Sequence, residues 1–371
     1  MVYLSCPLRQ PHSGRLFPLL KRLSTSNIAL WHGMAPRLAS LPPPRSIGPS
    51  PTATTVRTER LQSLWAGYGT ISRLNLSDQS SLVLKTIVPP RLSGAFDESD
   101  ARKLTSYRVE RFFYTSLAAK LPPSVRVAKS YSLRPGMTAG EDLLLEDLDA
   151  EFDVDGGTPY SLDQTHVVLN WLAGFHSTFS PPPTLTQHPP PTSLRPPPTV
   201  DGIWQHGDYW HLATRSSEFA SLPSSHYLRT WAPYVDALLS SPTQPGRTIL
   251  HGDAKSANIA FARSAPPSCV LYDFQYCGTG LGVQDVIYFL STSVPPRFLA
   301  GNGYEELLRV YWDAVEPSEE YGWDVCKEQA EWAIVDWARF LESWGQWGNA
   351  RWVEGRSKAI TQRWRKEGVV P

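Results

Sequence analysis

The hydrophobic positions change period several times along the chain, and each change marks an element. In "SSLVLKTIV", Leu82, Leu84, Thr86 and Val88 alternate with Val83, Lys85 and Ile87, the two-residue period of a strand. "LQSLWAGYGTISRLNL" reads as the strand before it, with "SDQS" as the turn between them. "ARKLTSYRVERFFYTSLAAKL" shifts to helical spacing, with Leu104, Arg108, Phe112, Leu117 and Leu121 near one face and Pro122-Pro123 as the stop. "EDLLLEDL" is a short apolar run, read as a buried strand leading into a connector. "SLDQTHVVLNWLAGFHSTF" opens with Ser161 three residues before Gln164, a capping-box pattern, and then sets Val168, Leu172, Phe175 and Phe179 on one face. Beyond Asp285 the pattern is helical again. Tyr304, Leu307, Leu308, Tyr311 and Val315 share a face, as do Ala333, Trp337, Phe340, Leu341 and Trp344, whose tryptophans are read as core anchors. Strands with one helix, followed mainly by helices, predict an α+β chain of two lobes. The N-lobe spans 59–148, small and β-rich with one helix, and the larger, mainly helical C-lobe spans 149–371.

Composition adjusts this outline at two places. Residues 181–198, "PPPTLTQHPPPTSLRPPP", are half proline and are expected to form an extended surface insertion in the C-lobe, or a docking site for a proline-reading domain. Residues 1–58 hold no Asp or Glu, but carry Arg9, Arg15, Lys21, Arg22, Arg37, Arg45 and Arg57 among many Ser and Thr. A basic, acid-free, Ser-rich start has the composition of a transit peptide, and a mitochondrial destination is expected ahead of a plastid one. The alternative is a disordered extension on a cytoplasmic protein, with Met34 as a second start. Formal net charge is zero over 371 residues, which argues against nucleic-acid or anionic-membrane partners. Cys6, Cys269, Cys277 and Cys326 show no C-x-x-C pairing and are read as reduced thiols, with neither a zinc site nor a disulfide framework. No apolar run approaches the roughly 20 residues that span a bilayer.

The candidate chemistry lies in "HGDAKSANIAF" and "CVLYDFQ". Asn258 follows Asp253 by five residues, and Asp273 follows Asn258 by fifteen, at the end of an apolar strand. Phosphoryl transfer needs a carboxylate to orient an attacking hydroxyl and accept its proton, which suits Asp253. It also needs hard oxygen ligands for Mg²⁺, which suits the Asn258 amide and the Asp273 carboxylate. Upstream, Lys85 sits in an apolar strand, and Glu110 follows 25 residues later on the predicted helix, as a phosphate-binding cation and the acid that holds it. "AGYGTI" puts Gly67 and Gly69 in a turn whose backbone N–H groups are expected near phosphates. A second His-Gly-Asp occurs at residues 206–208 in "IWQHGDYWHLA". The residue five positions after its aspartate is Ala213, so this copy is read as a coincidence. If both copies acted together, His206, Asp208, His251 and Asp253 would suit a two-metal hydrolase, but that leaves Asn258, Asp273, Lys85 and Glu110 without a task.

In this order of motifs the chain resembles the aminoglycoside phosphotransferase and choline kinase superfamily, and most closely its ecdysteroid kinase-like (CHK kinase-like) group. "VLKTI", "RVERFFYTSLA", "LLLEDL", "LAGFHSTF", "LHGDAKSANIAF" and "LYDFQYCGTGLGVQDVIYFL" carry the resemblance, across roughly residues 60–345. It implies a protein kinase-like two-lobed fold, ATP and Mg²⁺, and phosphorylation of a hydroxyl on a small molecule by a monomer or dimer. By position it implies Asp253 as catalytic base, Asn258 and Asp273 as Mg²⁺ ligands, Lys85 on the nucleotide phosphates and Glu110 holding Lys85. "LLLEDL" would be the hinge, meeting adenine near Glu146 to Leu148. Asp285 and His251 would brace the catalytic loop. Ala254, Lys255 and Ala257 depart from the bulky residue and Asn common after HGD in such relatives, and Lys255 is expected either on the transferring phosphate or in solvent. A catalytically inactive kinase-like binding module is the remaining alternative. For the acceptor, Asp208, Tyr209, Trp210, Glu342 and Trp344 are the candidates if it is cationic.

Overall fold

The computed structural model describes residues 49–50, 52–89, 98–133, 141–153, 160–190, 200–316 and 318–371. The basic leader up to residue 48 and residues 191–198 of the proline-rich stretch lie outside the described residues.

Three strands open the N-lobe: β1 (Thr55–Ser63), β2 (Gly69–Leu76) and β3 (Ser81–Ile87). The stretch read as strand is therefore two strands, parted at the turn that "AGYGTI" marks. The break comes where Ala66 and Gly67 adopt left-handed backbone (φ 54° and 75°), which reverses the chain between β1 and β2. Helix α1 (Glu98–Phe112) follows, then a single π turn (Phe113–Leu117) and a short 3₁₀ turn that stops before Pro122. Strands β4 (Ser130–Tyr131) and β5 (Leu143–Glu146) complete an antiparallel sheet in the order β1-β2-β3-β5-β4. Alternation along β3 is as expected. Leu82 and Leu84 pack with Leu74, Leu76 and Leu144 on one side, while Val83 and Lys85 face the cleft on the other.

The buried stripe of α1 differs from the expected one. Ala101, Thr105, Ser106, Val109, Glu110 and, beyond it, Phe113 and Leu117 are buried, whereas Leu104, Arg108 and Phe112 are half-buried. Periodicity points to the face with the large residues. The helix instead turns a partly polar face inward, because Lys85 and Gln275 supply partners there for Glu110 and Ser106.

The C-lobe begins with β6 (Phe152–Asp153) and α2 (Leu162–Thr178). The capping box forms in full: the Gln164 backbone N–H donates to Ser161 Oγ at 3.1 Å, and the Ser161 N–H donates to Gln164 Oε1 at 2.9 Å. Next come β7 (Gln187–His188), β8 (Ile203–Trp204), α3 (Ser216–Ala220), α4 (Leu228–Ser240), β9 (Arg247–Leu250), β10 (Ile259–Ala262), β11 (Cys269–Leu271) and β12 (Gly278–Leu281). Helices α5 (Val283–Ser293), α6 (Gly303–Ala314), α7 (Trp323–Trp344) and α8 (Ala350–Lys366) finish the lobe. Two small sheets, β11-β10-β6 and β7-β8-β12-β9, carry the loops that face the N-lobe.

The core lies between α2, α5 and α7. Phe175, Phe289 and Trp337 are fully buried there, each contributing about 1.5–3 kcal/mol of transfer free energy. Trp344, expected in the same core, is only half-buried and stacks on Phe340 with ring centroids 5.5 Å apart. The described cysteines, Cys269, Cys277 and Cys326, are free and buried. Among the described residues no helix is long and apolar enough to cross a membrane. The described residues form an α+β chain of two lobes, a small sheet-based N-lobe and a larger, mainly helical C-lobe, with the cleft between them.

Candidate active site

Strand β3 and helix α1 deliver the first half of the site. Lys85 lies on a strand whose other cleft-facing neighbour, Val83, is apolar, so its ammonium needs a partner inside the protein. Glu110 of α1 supplies it, with Nζ to Oε2 at 2.5 Å and both side chains buried. Burial pushes the Glu110 carboxyl up to about 7, with the ammonium pulling it back and the nearby Asp273 carboxylate adding to the rise. Lys85 Nζ also lies 3.8 Å from Asp273 Oδ1 and 5.4 Å from the centre of the Tyr107 ring. The cation is thus fixed between the two lobes.

The second half is the loop between β9 and β10. Gly252 has φ +79°, and a Cβ there would stand 2.2 Å from Tyr276 O and 2.7 Å from Asp208 N, so only glycine fits. Asp285, at the start of α5, accepts from the backbone N–H of His251 (2.7 Å) and of Gly252 (3.0 Å). His176 Nε2 is 3.1 Å from the same carboxylate. The Asp253 backbone N–H donates to His251 Nδ1 at 3.2 Å, which leaves Nε2 as the protonated nitrogen, 3.1 Å from the Tyr272 carbonyl. Burial holds His251 below the ordinary histidine range, so it stays neutral and structural. A Gly252→Ala variant is expected to lose roughly 5–10 °C of thermal stability, because it adds left-handed strain to a backbone collision. A midpoint equal to wild type in differential scanning fluorimetry would contradict this.

Asp253, so positioned, is surrounded by donors. Lys255 Nζ lies 2.9 and 2.8 Å from its two carboxylate oxygens, and Tyr288 OH donates to Oδ1 at 2.8 Å. Asn258 Nδ2 donates to the Asp253 carbonyl (2.9 Å) and to Oδ2 (3.0 Å). Lys255 is therefore buried against Asp253 and is not solvent-facing. With its amide nitrogen engaged, Asn258 has its side-chain oxygen left for a cation. Asp273, in left-handed backbone at φ 69°, presents a buried Oδ1 with no hydrogen-bond donor. One amide oxygen and one unsatisfied carboxylate oxygen in the same cleft fit a hard divalent cation.

The other expected nucleotide-binding residues divide between the cleft and the turn beside it. Glu146 and Leu148 line the cleft with Val83, Ala128, Leu145 and Tyr272, an apolar slot of the kind that holds a flat ring. The hinge is tied down from outside, since Arg73 of β2 pairs with Asp147 (2.5 Å) and Asp149 (2.9 Å). Gly67 and Gly69 are not among the cleft-lining residues; Leu64 and Trp65 of the same turn are. The glycine N–H expected to face phosphates is used within the turn, where Gly67 N donates to Leu64 O. Gly69 serves packing, because a Cβ there would lie 1.8 Å from Thr86 O. These two glycines shape the hairpin and leave its Trp65 at the cleft.

The two His-Gly-Asp copies are neighbours, which the sequence did not reveal. Gly207 N donates to Thr279 O at 2.8 Å, and Asp208 N to Tyr276 O at 3.3 Å, directly beside Gly252. Gly252 lets the two loops meet backbone to backbone, yet their carboxylates diverge. Asp208 accepts from Gln284 at 2.9 Å, fully buried, and burial together with Asp336 holds it well above the usual carboxylate range. Among the described residues no group of three or more His, Cys, Asp and Glu side chains is arranged to hold a metal, so the hydrolase set is not assembled. Of the acceptor candidates, only Tyr209 lines the cleft. Trp210 stacks on Tyr288 at 4.5 Å, and Trp344 lies 5.0 Å from the Arg215 guanidinium. Pattern reading missed Lys103, Ser106, Tyr107 and Tyr276 in the cleft, and Tyr288 behind it. Tyr288 was findable, one turn after Asp285 on a helix.

His206 gives this region a pH signature. Burial lowers it from 6.5 to about 4, so the unfolded chain binds more protons than the native one between those values. Its contribution to stability is present above pH 6.5 and is lost as pH falls toward 4. Relative to wild type, His206→Gln is expected to gain thermal midpoint steadily over that range; a pH-independent difference would overturn the assignment.

With this geometry in place, comparison with known families is informative. Residues 224–319 match the ecdysteroid kinase-like family. The matched stretch contains both "HGDAKSANIAF" and "LYDFQ", in agreement with the resemblance those motifs carry. No curated protein sequence matches the chain. Solved structures similar to it include a choline kinase from Streptococcus pneumoniae, 12% identical, with 83% of this chain and 93% of that one covered and a TM-score of 0.44. A thermostable mutant of an aminoglycoside phosphotransferase is 13% identical over 84% and 95% of the two chains, with a TM-score of 0.47. An amicoumacin kinase in complex with AMP-PNP and Ca²⁺ is 12% identical over 82% and 88%, with a TM-score of 0.44.

Proposed function

We propose that this protein is an ATP-dependent small-molecule kinase that moves the γ-phosphate of ATP to a hydroxyl group of a metabolite. The observation that carries the reading is one cleft holding a buried Lys85–Glu110 pair from the N-lobe opposite Asp253, Asn258 and Asp273 from the C-lobe. In this reading the apolar slot at Val83, Ala128, Leu145 and Leu148 takes the adenine, and backbone groups from Glu146 to Leu148 meet its edge. Lys85, held in direction by Glu110, binds nucleotide phosphate oxygens. Asn258 and Asp273 would hold Mg²⁺, which neutralises phosphate charge when bound. Asp253 orients the acceptor hydroxyl toward the phosphorus and takes its proton as the new oxygen–phosphorus bond forms. The ADP oxygen leaves on the opposite side. Burial between the lobes keeps water from competing as the acceptor.

The acceptor sits beyond Asp253, near Tyr209 and Tyr276. Purified protein incubated with Mg-ATP and a panel of hydroxyl metabolites tests the reading by mass spectrometry. Acceptor-dependent gain of one phosphate is the expected result. Nucleotide binding without transfer to any acceptor would instead favour the inactive binding module. A mitochondrial destination, read from the basic N-terminal composition, is a separate proposal, tested by import of the full chain into isolated mitochondria.

A further inference from the structure

Helix α5 approaches the catalytic loop with two side chains one turn apart. Asp285 takes the backbone N–H groups of His251 and Gly252, and Tyr288 takes the side chain of Asp253. Residues three apart on a helix share a face, so one rigid element grips both the main chain and the carboxylate of the loop. Tyr288 is fully buried, and aromatic rings fix its own position. It stacks on Trp210 at 4.5 Å and meets Trp337 edge-on at 5.0 Å and Trp347 edge-on at 6.0 Å. Nothing in that cage needs a hydroxyl, and a phenylalanine would fill it equally well. The hydroxyl has one proton, and the charged acceptor 2.8 Å away claims it over the Tyr209 oxygen at 3.4 Å.

We propose that Tyr288 is a positioning residue that locks the Asp253 carboxylate in the orientation needed to receive the acceptor's proton. This rests on the kinase reading for its consequence, but its geometric content stands apart from it. Lys255 reaches both oxygens of Asp253 at nearly equal distance and follows the carboxylate through a range of torsions on a flexible stem. Asn258 engages Oδ2 but also turns toward the cation site. The Tyr288 hydroxyl, its ring held by the surrounding aromatics, is the rigid donor of the set. It pins Oδ1 on the α5 side, which sets the plane of the carboxylate.

The test is Tyr288→Phe, studied with Asp253→Asn and the double variant. The single variant is expected to fold with a thermal midpoint lowered by a few degrees and unchanged KM for ATP, and to lose about 10- to 100-fold in kcat, the factor for a hydrogen bond to a charged group. If Tyr288 acts through Asp253, adding Tyr288→Phe to Asp253→Asn costs nothing further. A purely structural tyrosine would impose its factor in both backgrounds. A crystal structure of Tyr288→Phe supplies the readout that needs no activity. Rotation of the Asp253 carboxylate within an intact aromatic cage supports the proposal; a carboxylate left in place, or a kcat equal to wild type, overturns it. If the wild type itself transfers phosphate to no acceptor, the kinase reading fails, and the rotation still decides the positioning role.

Discussion

Asp253→Asn is expected to lower phosphoryl transfer by about 10²–10⁴-fold, while ATP binds as in wild type. Asparagine keeps the size, but its one amide oxygen can accept from only one of Asn258 and Tyr288, and it cannot take up the hydroxyl proton. The Lys255 ammonium also loses its charge partner, 2.8 Å away in the native site. Initial-rate kinetics with a found acceptor, alongside nucleotide titration by calorimetry, separates chemistry from binding. Transfer at the wild-type rate would remove Asp253 from the mechanism as the base.

The second large effect concerns the pair across the cleft. Glu110→Ala takes away the carboxylate 2.5 Å from the buried Lys85 ammonium, with the Asp273 carboxylate 3.8 Å off, and breaking a buried pair costs about 3–5 kcal/mol. The residual attraction to Asp273 places the expected loss at the lower end of that range. Nucleotide affinity should fall as well, since Lys85 loses the partner that orients it. Glu110→Gln should be milder, because it retains an acceptor oxygen for the lysine. Removing Lys85 as well should restore part of the lost stability, as no orphan charge then remains, but not the nucleotide affinity. Urea unfolding of the single and double variants measures this; a double variant no more stable than Glu110→Ala would contradict it.

Much of the site is legible in the sequence because its chemistry is local. Asp253 and Asn258 share one loop, and Asp273 comes at the end of the next hairpin strand, so their spacing constrains their geometry. The alternation in β3 places Lys85 opposite the leucines that pack outward. The capping box at Ser161 needs only four consecutive residues and forms as expected. Pattern fails where a choice depends on what lies across a gap. On α1 it selects the wrong face, because Glu110 and Ser106 become inward residues only once Lys85 and Gln275 stand opposite them.

The repeated His-Gly-Asp shows the same division. By sequence alone the copies are told apart by their downstream residues: Asn258 and Asp273 for one, Ala213 for the other. In the structure Asp253 lines the cleft together with Asn258 and Asp273, and Asp208 does not. Only the tertiary structure brings Gly252 against the Asp208 backbone, turns Asp208 toward Gln284, and sets Tyr288 of α5 against Asp253. The α+β class, the order of the lobes and the charged groups Lys85, Glu110, Asp253 and Asp273 are legible in the residues alone, because strand alternation, helix capping and loop spacing act over a few residues. The tertiary structure decided which of those groups face one another, because burying a charge or a polar hydroxyl is favourable only where a distant part of the chain supplies its partner.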